Sequence, residues 1–257
     1  MIGTAENILN IPGPEVSDQI FEGHQEAIFW VGQVATKGVV SQPEYYDALT
    51  IFRAETYLEL GFISTDHVDE YGREIDVDEK RSTSIAVVKK EQTGETGTAH
   101  IEGSGRLIFK ESPDKPLPIE TLFPEVFQDE PLPIDAVEAS RFIARDPNKK
   151  TRHMINLSII RALTYSSVEA NVSSLYCVVE RPLLSLFKHI GIPLKVLGDP
   201  KDVPGQGGVL YPVYVNYELI PESVRKDISG TIDLQAFFKD AKKGIGYYAE
   251  DLNGEDL

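Results

Sequence analysis

Ala136-Val137-Glu138-Ala139-Ser140-Arg141-Phe142-Ile143-Ala144, followed by Arg145-Asp146-Pro147-Asn148-Lys149-Lys150-Thr151-Arg152, is the stretch that decides the fold. Residues 136–144 form a strand candidate and residues 146–150 a polar turn. Beyond the turn, Ile155, Ile159, Ala162 and Leu163 fall on one apolar stripe at helical spacing. Residues 175–179 then make a continuous apolar run, the pattern of a strand buried on both faces. Arg181 and Pro182 open a short helix that Gly191 closes.

Upstream, residues 27–34 (with Phe29, Trp30 and Val31) predict a first strand. Ser41 as N-cap and Pro43 in the first turn predict a helix start. Tyr45, Leu49 and Phe52 continue it at helical spacing, and Gly61 ends it. Residues 83–88 and 99–109, joined by the Gly94 to Gly97 turn, read as an antiparallel hairpin. The Pro-rich connection at 113–133 is long enough to be a functional loop or lid. Downstream, residues 193–197 and 209–217 are expected as edge strands, residues 205–208 as a hairpin turn and residues 234–242 as a small helix. This order predicts an α/β (α+β) fold with a mixed central sheet flanked by helices on both faces. Residues 1–24 are expected as an irregular arm, 25–245 as one domain and 246–257 as an acidic tail.

The chain has 257 residues, enough to bury a full core, and a single cysteine, Cys177, which suits a reducing compartment as a small buried hydrophobe. A formal net charge of -16 opposes broad attachment to nucleic acid or anionic membrane. Much of that acidity is expected on solvated stretches such as 66–79. No apolar run approaches the roughly 20 residues of a membrane span, so a cytoplasmic protein without a membrane span is expected. The five histidines show no metal-ligand spacing, and no metal is predicted.

Four local patterns occur in order: Arg53 with Tyr57 and Leu60-Gly61-Phe62; the acidic pair Asp76 and Asp78, with Glu79; Gly105-Arg106-Leu107; and Glu138-Ala139-Ser140-Arg141-Phe142. Together they cover roughly residues 27–145 and resemble the GNAT-like acyltransferases, in the branch of acyl-homoserine lactone (autoinducer) synthases and long-chain N-acyl amino acid synthases. The acidic residues stand two apart where the lactone synthases usually show three, a spacing that Asp76 with Glu79 restores. Phe62 replaces their typical Trp. The turn at 145–152 also lacks the glycines with which acetyl-CoA-dependent GNAT enzymes hold a pyrophosphate at a helix N-terminus.

The resemblance implies transfer of a fatty acyl group from the phosphopantetheine thioester of an acyl carrier protein or CoA to the amine of a small amino acid or derivative, with no permanently bound cofactor. It also implies that Arg53, Arg106 and Arg141 meet Asp76, Asp78 and Glu138 near the acceptor, clamping a substrate carboxylate or merely ordering the loop around the pocket. An α-amino group, with a pKa of about 8, must lose a proton to attack. Glu138 is a candidate base, or alternatively an ion-pair partner of Arg141 or Arg106. Backbone N–H groups where residues 140–144 splay from the neighbouring strand would hold the oxyanion, with Ser140 as a further donor or as packing beneath the acyl chain. Phe142 is expected to line apolar space. Arg145, Lys149, Lys150 and Arg152 form a basic patch suited to an acidic carrier protein, or alternatively a basic turn that is simply solvated. The other readings are an acyl-CoA-dependent enzyme acting on another amine, and a catalytically silent binding module.

Overall fold

The computed structural model describes residues 28–40, 43–91, 98–170, 172, 174–189, 192–203 and 208–216. The expected arm, acidic tail, 234–242 helix and 94–97 turn, and the caps Ser41 and Gly191, lie outside them. Nine strands among the described residues form one mixed sheet. In chain order they are β1 (Ile28–Thr36), β2 (Val39–Val40), β3 (Ser82–Glu91), β4 (Thr98–Phe109), β5 (Val137–Ala144), β6 (Ser174–Glu180), β7 (Leu194–Val196), β8 (Lys201–Val203) and β9 (Gly208–Asn216). The spatial order is β2-β1-β3-β4-β5-β6-β9-β7, with β8 also paired to β9. The β5–β6 pair is parallel and the others are antiparallel.

Helices α1 (Pro43–Leu60), α2 (Pro118–Leu122) and α3 (Pro124–Phe127) cover one face; α4 (Lys149–Glu169) and α5 (Arg181–His189) cover the other. The α4 stripe seen in the sequence packs Ile155, Ile159 and Leu163 on Ile85, Val87 and Leu107. Glycine lets the helix come this close: a Cβ at Gly103 would stand 2.6 Å from Ile155 Cγ2, and one at Gly105 2.8 Å from Ile159 Cγ2.

Gly61 ends α1 in the left-handed region (φ +71°). Its N–H donates to Leu58 O (3.2 Å), and Phe62 N–H donates to Tyr57 O (2.8 Å). These are the two bonds of a Schellman cap, whose customary apolar contact is here Tyr57 against Phe62, 5.8 Å between ring centres. The Leu60-Gly61-Phe62 pattern therefore has a local cause.

Two expectations are corrected. Residues 175–179 are not buried on both faces: Leu175, Cys177 and Val179 are buried while Tyr176 and Val178 are half-buried, because the short α2–α3 segment covers only part of that face. Nor is β9 an edge strand, since β6 flanks it on one side and β7 with β8 on the other. Pro212 O accepts Leu197 N–H (2.9 Å), so the side of Pro212 lacking an N–H falls between the stretches paired to β8 and β7.

Candidate active site

The β5 strand creates the site by departing from both neighbours. Against β4, Arg106 faces Ser140 and Ser104 faces Ile143, so β5 carries one extra residue there. Arg141 takes up the bulge with φ +53°, a left-handed conformation that costs a non-glycine residue about 1–2 kcal/mol. Against β6 the pairing covers only Val137, Glu138 and Ala139. Beyond Ala139 the two strands separate, and backbone groups of 140–144 face the gap. A cavity of about 1960 Å³ runs through it, reaching Glu138, Ser140 and Arg141 on the α1–α2 face and Phe142, Leu163, Leu183 and Phe187 on the α4–α5 face. That exceeds the roughly 300–1,000 Å³ usual for one small ligand, leaving room for two substrates.

On the α1–α2 face three arginines meet three carboxylates. Arg53, from the buried side of α1, reaches Glu74 Oε2 (2.8 Å), Glu74 O (2.8 Å) and Glu79 Oε2 (3.0 Å). Arg106 grips Asp76 through both terminal nitrogens (2.8 and 2.9 Å), reaches Glu79 Oε2 (3.1 Å) and donates through Nε to Ser140 Oγ (3.0 Å). Arg141 donates to Glu74 and to Asp76 Oδ2 (2.9 Å), and its guanidinium lies 5.3 Å from the centre of the Tyr57 ring. Burial alone would raise the Asp76 carboxyl, but Arg106 and Arg141 override it and hold it at about 2. Burial likewise works against ionised Glu79, and Arg53 with Arg106 keeps its pKa below the usual range.

Glu138 stands apart from these pairs. It is 2% exposed, makes no ion pair among the described residues, and accepts the Ile119 backbone N–H on Oε2 (2.8 Å). Burial pushes its carboxyl up to about 8 against the pull of that N–H and of Arg106, with Asp78 adding to the rise. The arrangement keeps a protonatable carboxyl near neutral pH at the start of the gap.

The expected meeting of Asp78 and Glu138 with the arginines is thus corrected. Asp78 pairs with Arg81 and only lines the cavity, because the 3-10 turn at Glu79–Arg81 directs Glu79 inward in its place. Asp76 with Glu79, three apart, is the pair that binds Arg106. The acidic loop at 66–79 is not uniformly solvated either: Glu74 and Glu79 are buried. Glu74 was missed as a site residue because nothing local separates it from the other acids around it, and its pairing with Arg53 and Arg141 shows only in space.

On the other face, Phe142 packs edge-to-face on Phe187, with ring centres 6.5 Å apart. Cys177 lines the cavity, and burial pushes its thiol up, so it is no ready nucleophile. Arg145, Lys149 and Arg152 are exposed at the cavity mouth, Arg145 paired with Glu59 (2.7 Å). The Lys150 side chain lies outside the described set. At the start of α4, Asp146 accepts Asn148 N–H (2.7 Å) and Asn148 accepts Thr151 N–H (3.3 Å), so the helix N-terminus is capped by its own side chains. No helix among the described residues is long and apolar enough to cross a membrane, and no group of three or more His, Cys, Asp or Glu among them is arranged to hold a metal.

No protein-family profile and no curated protein matches the sequence. Solved structures do. The CoA-dependent acyl-homoserine lactone synthase BjaI, in complex with SAM and isopentyl-CoA, is 17% identical, with 83% of this chain and 99% of that chain covered at a TM-score of 0.57. The AHL synthase LasI is 16% identical, with 80% and 96% covered at 0.56. FeeM, an N-acyl amino acid synthase from uncultured soil microbes, is 12% identical, with 76% and 93% covered at 0.53. At this identity the likeness shows the fold: the chain has the GNAT-like acyltransferase architecture shared by these synthases.

Proposed function

We propose that this protein is an N-acyltransferase that moves a fatty acyl group from a phosphopantetheine thioester to the amine of an amino acid or amino acid derivative. The observation that carries the reading is the gap between β5 and β6 beyond Ala139, which joins a polar, arginine-lined chamber to an apolar one, with Glu138 at its origin. The acyl chain lies among Phe142, Leu163, Leu183 and Phe187, and the acceptor beside Ser140 and Arg141.

The acceptor amine attacks the thioester carbonyl carbon; a C–N bond forms and, on collapse, the C–S bond breaks to release the thiol. Glu138 takes the amine proton directly or through water, and that proton is returned to the departing sulfur. Backbone N–H groups of 140–144, freed by the separation from β6, stabilise the oxyanion. Arg106 fixes Ser140 through its hydroxyl oxygen, leaving the Ser140 proton to donate into the chamber. Because the arginines are already engaged by carboxylates, their main contribution is to hold the chamber wall; Arg141, partly exposed to the cavity, is the one suited to touch the acceptor.

An acyl carrier protein is favoured over CoA as donor. The α4 N-terminus is capped by Asn148 and offers no bare backbone cradle for a pyrophosphate, and Arg145, Lys149 and Arg152 present positive charge to an acidic carrier.

Mass spectrometry of lipid extracts from cells overproducing the wild type and Glu138→Gln tests the proposal. An N-acyl amino acid or acyl lactone made only by the wild type names both substrates. With purified protein, acyl carrier protein and CoA donors are offered in parallel against SAM and free amino acids. No product from the folded wild type with any pair overturns the reading in favour of a binding module.

A further inference from the structure

Lys110, the residue that follows β4, is 5% exposed, and its Nζ lies 2.6 Å from Glu120 Oε1 on α2. Glu120 also accepts the Leu117 N–H (2.8 Å) and the Leu132 N–H (3.2 Å). One carboxylate thus ties together the exit of β4, the start of α2 and the far limb of the Pro-rich connection. Between these anchors stands Ile119, whose N–H holds Glu138 Oε2. Glu138 lies on the sheet and Ile119 on the connection, so the bond between them lasts only while α2 is held against β5.

We infer that Lys110 and Glu120 form a positioning pair that fixes α2 so that the Ile119 N–H stays on Glu138, and thereby sets how readily Glu138 gives up and takes a proton. Neither residue touches substrate; they act through the backbone of α2. The inference rests on the reading of Glu138 as the base. The charged and titratable groups around Glu138 are Arg106 on β4, Arg141 on β5, Tyr176 and Cys177 on β6, Asp78 before β3 and Glu120 on α2. Apart from Glu120 and Asp78 they are anchored on the sheet or in the arginine cluster, and Asp78 is held by Arg81, so releasing α2 removes the N–H and leaves them in place. The ionised form of Glu138 then loses a hydrogen bond that its neutral form needs less, and its titration moves to higher pH.

The test follows the Glu138 carboxyl itself by 13C NMR in protein labelled at glutamate carboxyls, its signal assigned by its absence in Glu138→Gln. Lys110→Met should raise the midpoint by about one pH unit, the scale of one hydrogen bond to a charged group. Lys110→Arg should restore it. If Lys110→Met does not fold, Lys110→Gln, which leaves both backbone N–H groups on Glu120 and removes only the charged tie, carries the measurement in the same direction. A midpoint unmoved in a folded variant overturns the inference. The titration needs no turnover, so a wild type that makes no product defeats the proposed function while the positioning of Glu138 is still judged. In an active enzyme the kcat/KM profile should move by the same interval, with KM for the donor unchanged.

Discussion

Glu138→Gln should stabilise the fold at pH 9. In the folded chain the carboxyl titrates at about 8 because burial disfavours its charge, against an ordinary value of 4.5. Between those values the native state holds a proton that the unfolded state has released, so stability falls as pH rises. The contribution is fully present below pH 4.5 and gone above pH 8. A difference of this size corresponds to about 5 kcal/mol at 1.36 kcal/mol per unit. Glutamine cannot ionise, and its side-chain oxygen can still accept the Ile119 N–H. Urea unfolding of both proteins near pH 4.5 and near pH 9 isolates the effect, since every other titrating group cancels in the comparison. The variant should match the wild type within about 1 kcal/mol at the lower pH and exceed it by several kcal/mol at the higher, a rise in Tm on the order of 10 °C. The reasoning fails if the variant is less stable at pH 9 by the roughly 3–5 kcal/mol expected for breaking a buried ion pair, because Glu138 would then be a paired carboxylate.

Arg106→Met leaves Asp76 short of its principal cation and Glu79 with Arg53 alone, and denaturant titration at neutral pH should show a loss of roughly 3–5 kcal/mol. Asp76, held at about 2, contributes stability above its ordinary 3.8 that vanishes as pH falls to 2, so the variant's deficit should narrow in acid; a constant deficit would rule out the ion pair as its cause. Gly105→Ala puts a Cβ 2.8 Å from Ile159 Cγ2 and should cost about 1–3 kcal/mol by thermal unfolding; a neutral result would mean that α4 is free to lift. Reversing Lys149 and Arg152 to Glu should raise KM for an acyl carrier protein at least about tenfold, less so at high salt. An equal rise with acyl-CoA would show that the patch does not discriminate between donors.

The sequence revealed what local periodicity and capping determine. The α4 stripe, the antiparallel pairing of β3 with β4 and the Gly61 cap were each read from a few neighbouring residues, and the structure contains all three. It did not reveal the place of β9, which depends on how distant strands pair. At the site the three arginines and their partner Asp76 were legible, Glu79 only as the residue that restores the three-residue spacing, and Glu74 not at all. Asp78 and Glu79 are adjacent in sequence, and only the path of the chain into the 3-10 turn decides which faces inward. The Ile119 N–H has no side-chain signature, so no reading of residue types would have placed it on Glu138.

The arginine cluster and the unpaired glutamate belong to one design. Arg53, Arg106 and Arg141 carry three positive charges, and Glu74, Asp76 and Glu79 offset them within the same few ångströms. Had one carboxylate been missing, the spare guanidinium would have drawn Glu138 into a pair and held it ionised far below neutral pH, as Asp76 is held. A base depressed that far accepts a proton from an ammonium poorly. With the cations already satisfied, Arg106 and Arg141 exert only a weak residual pull on Glu138, burial dominates, and its carboxyl titrates close to the α-amino group it would deprotonate. The balance of charge around the chamber is therefore what keeps Glu138 suited to proton transfer, and the Ile119 N–H adjusts that setting without cancelling it.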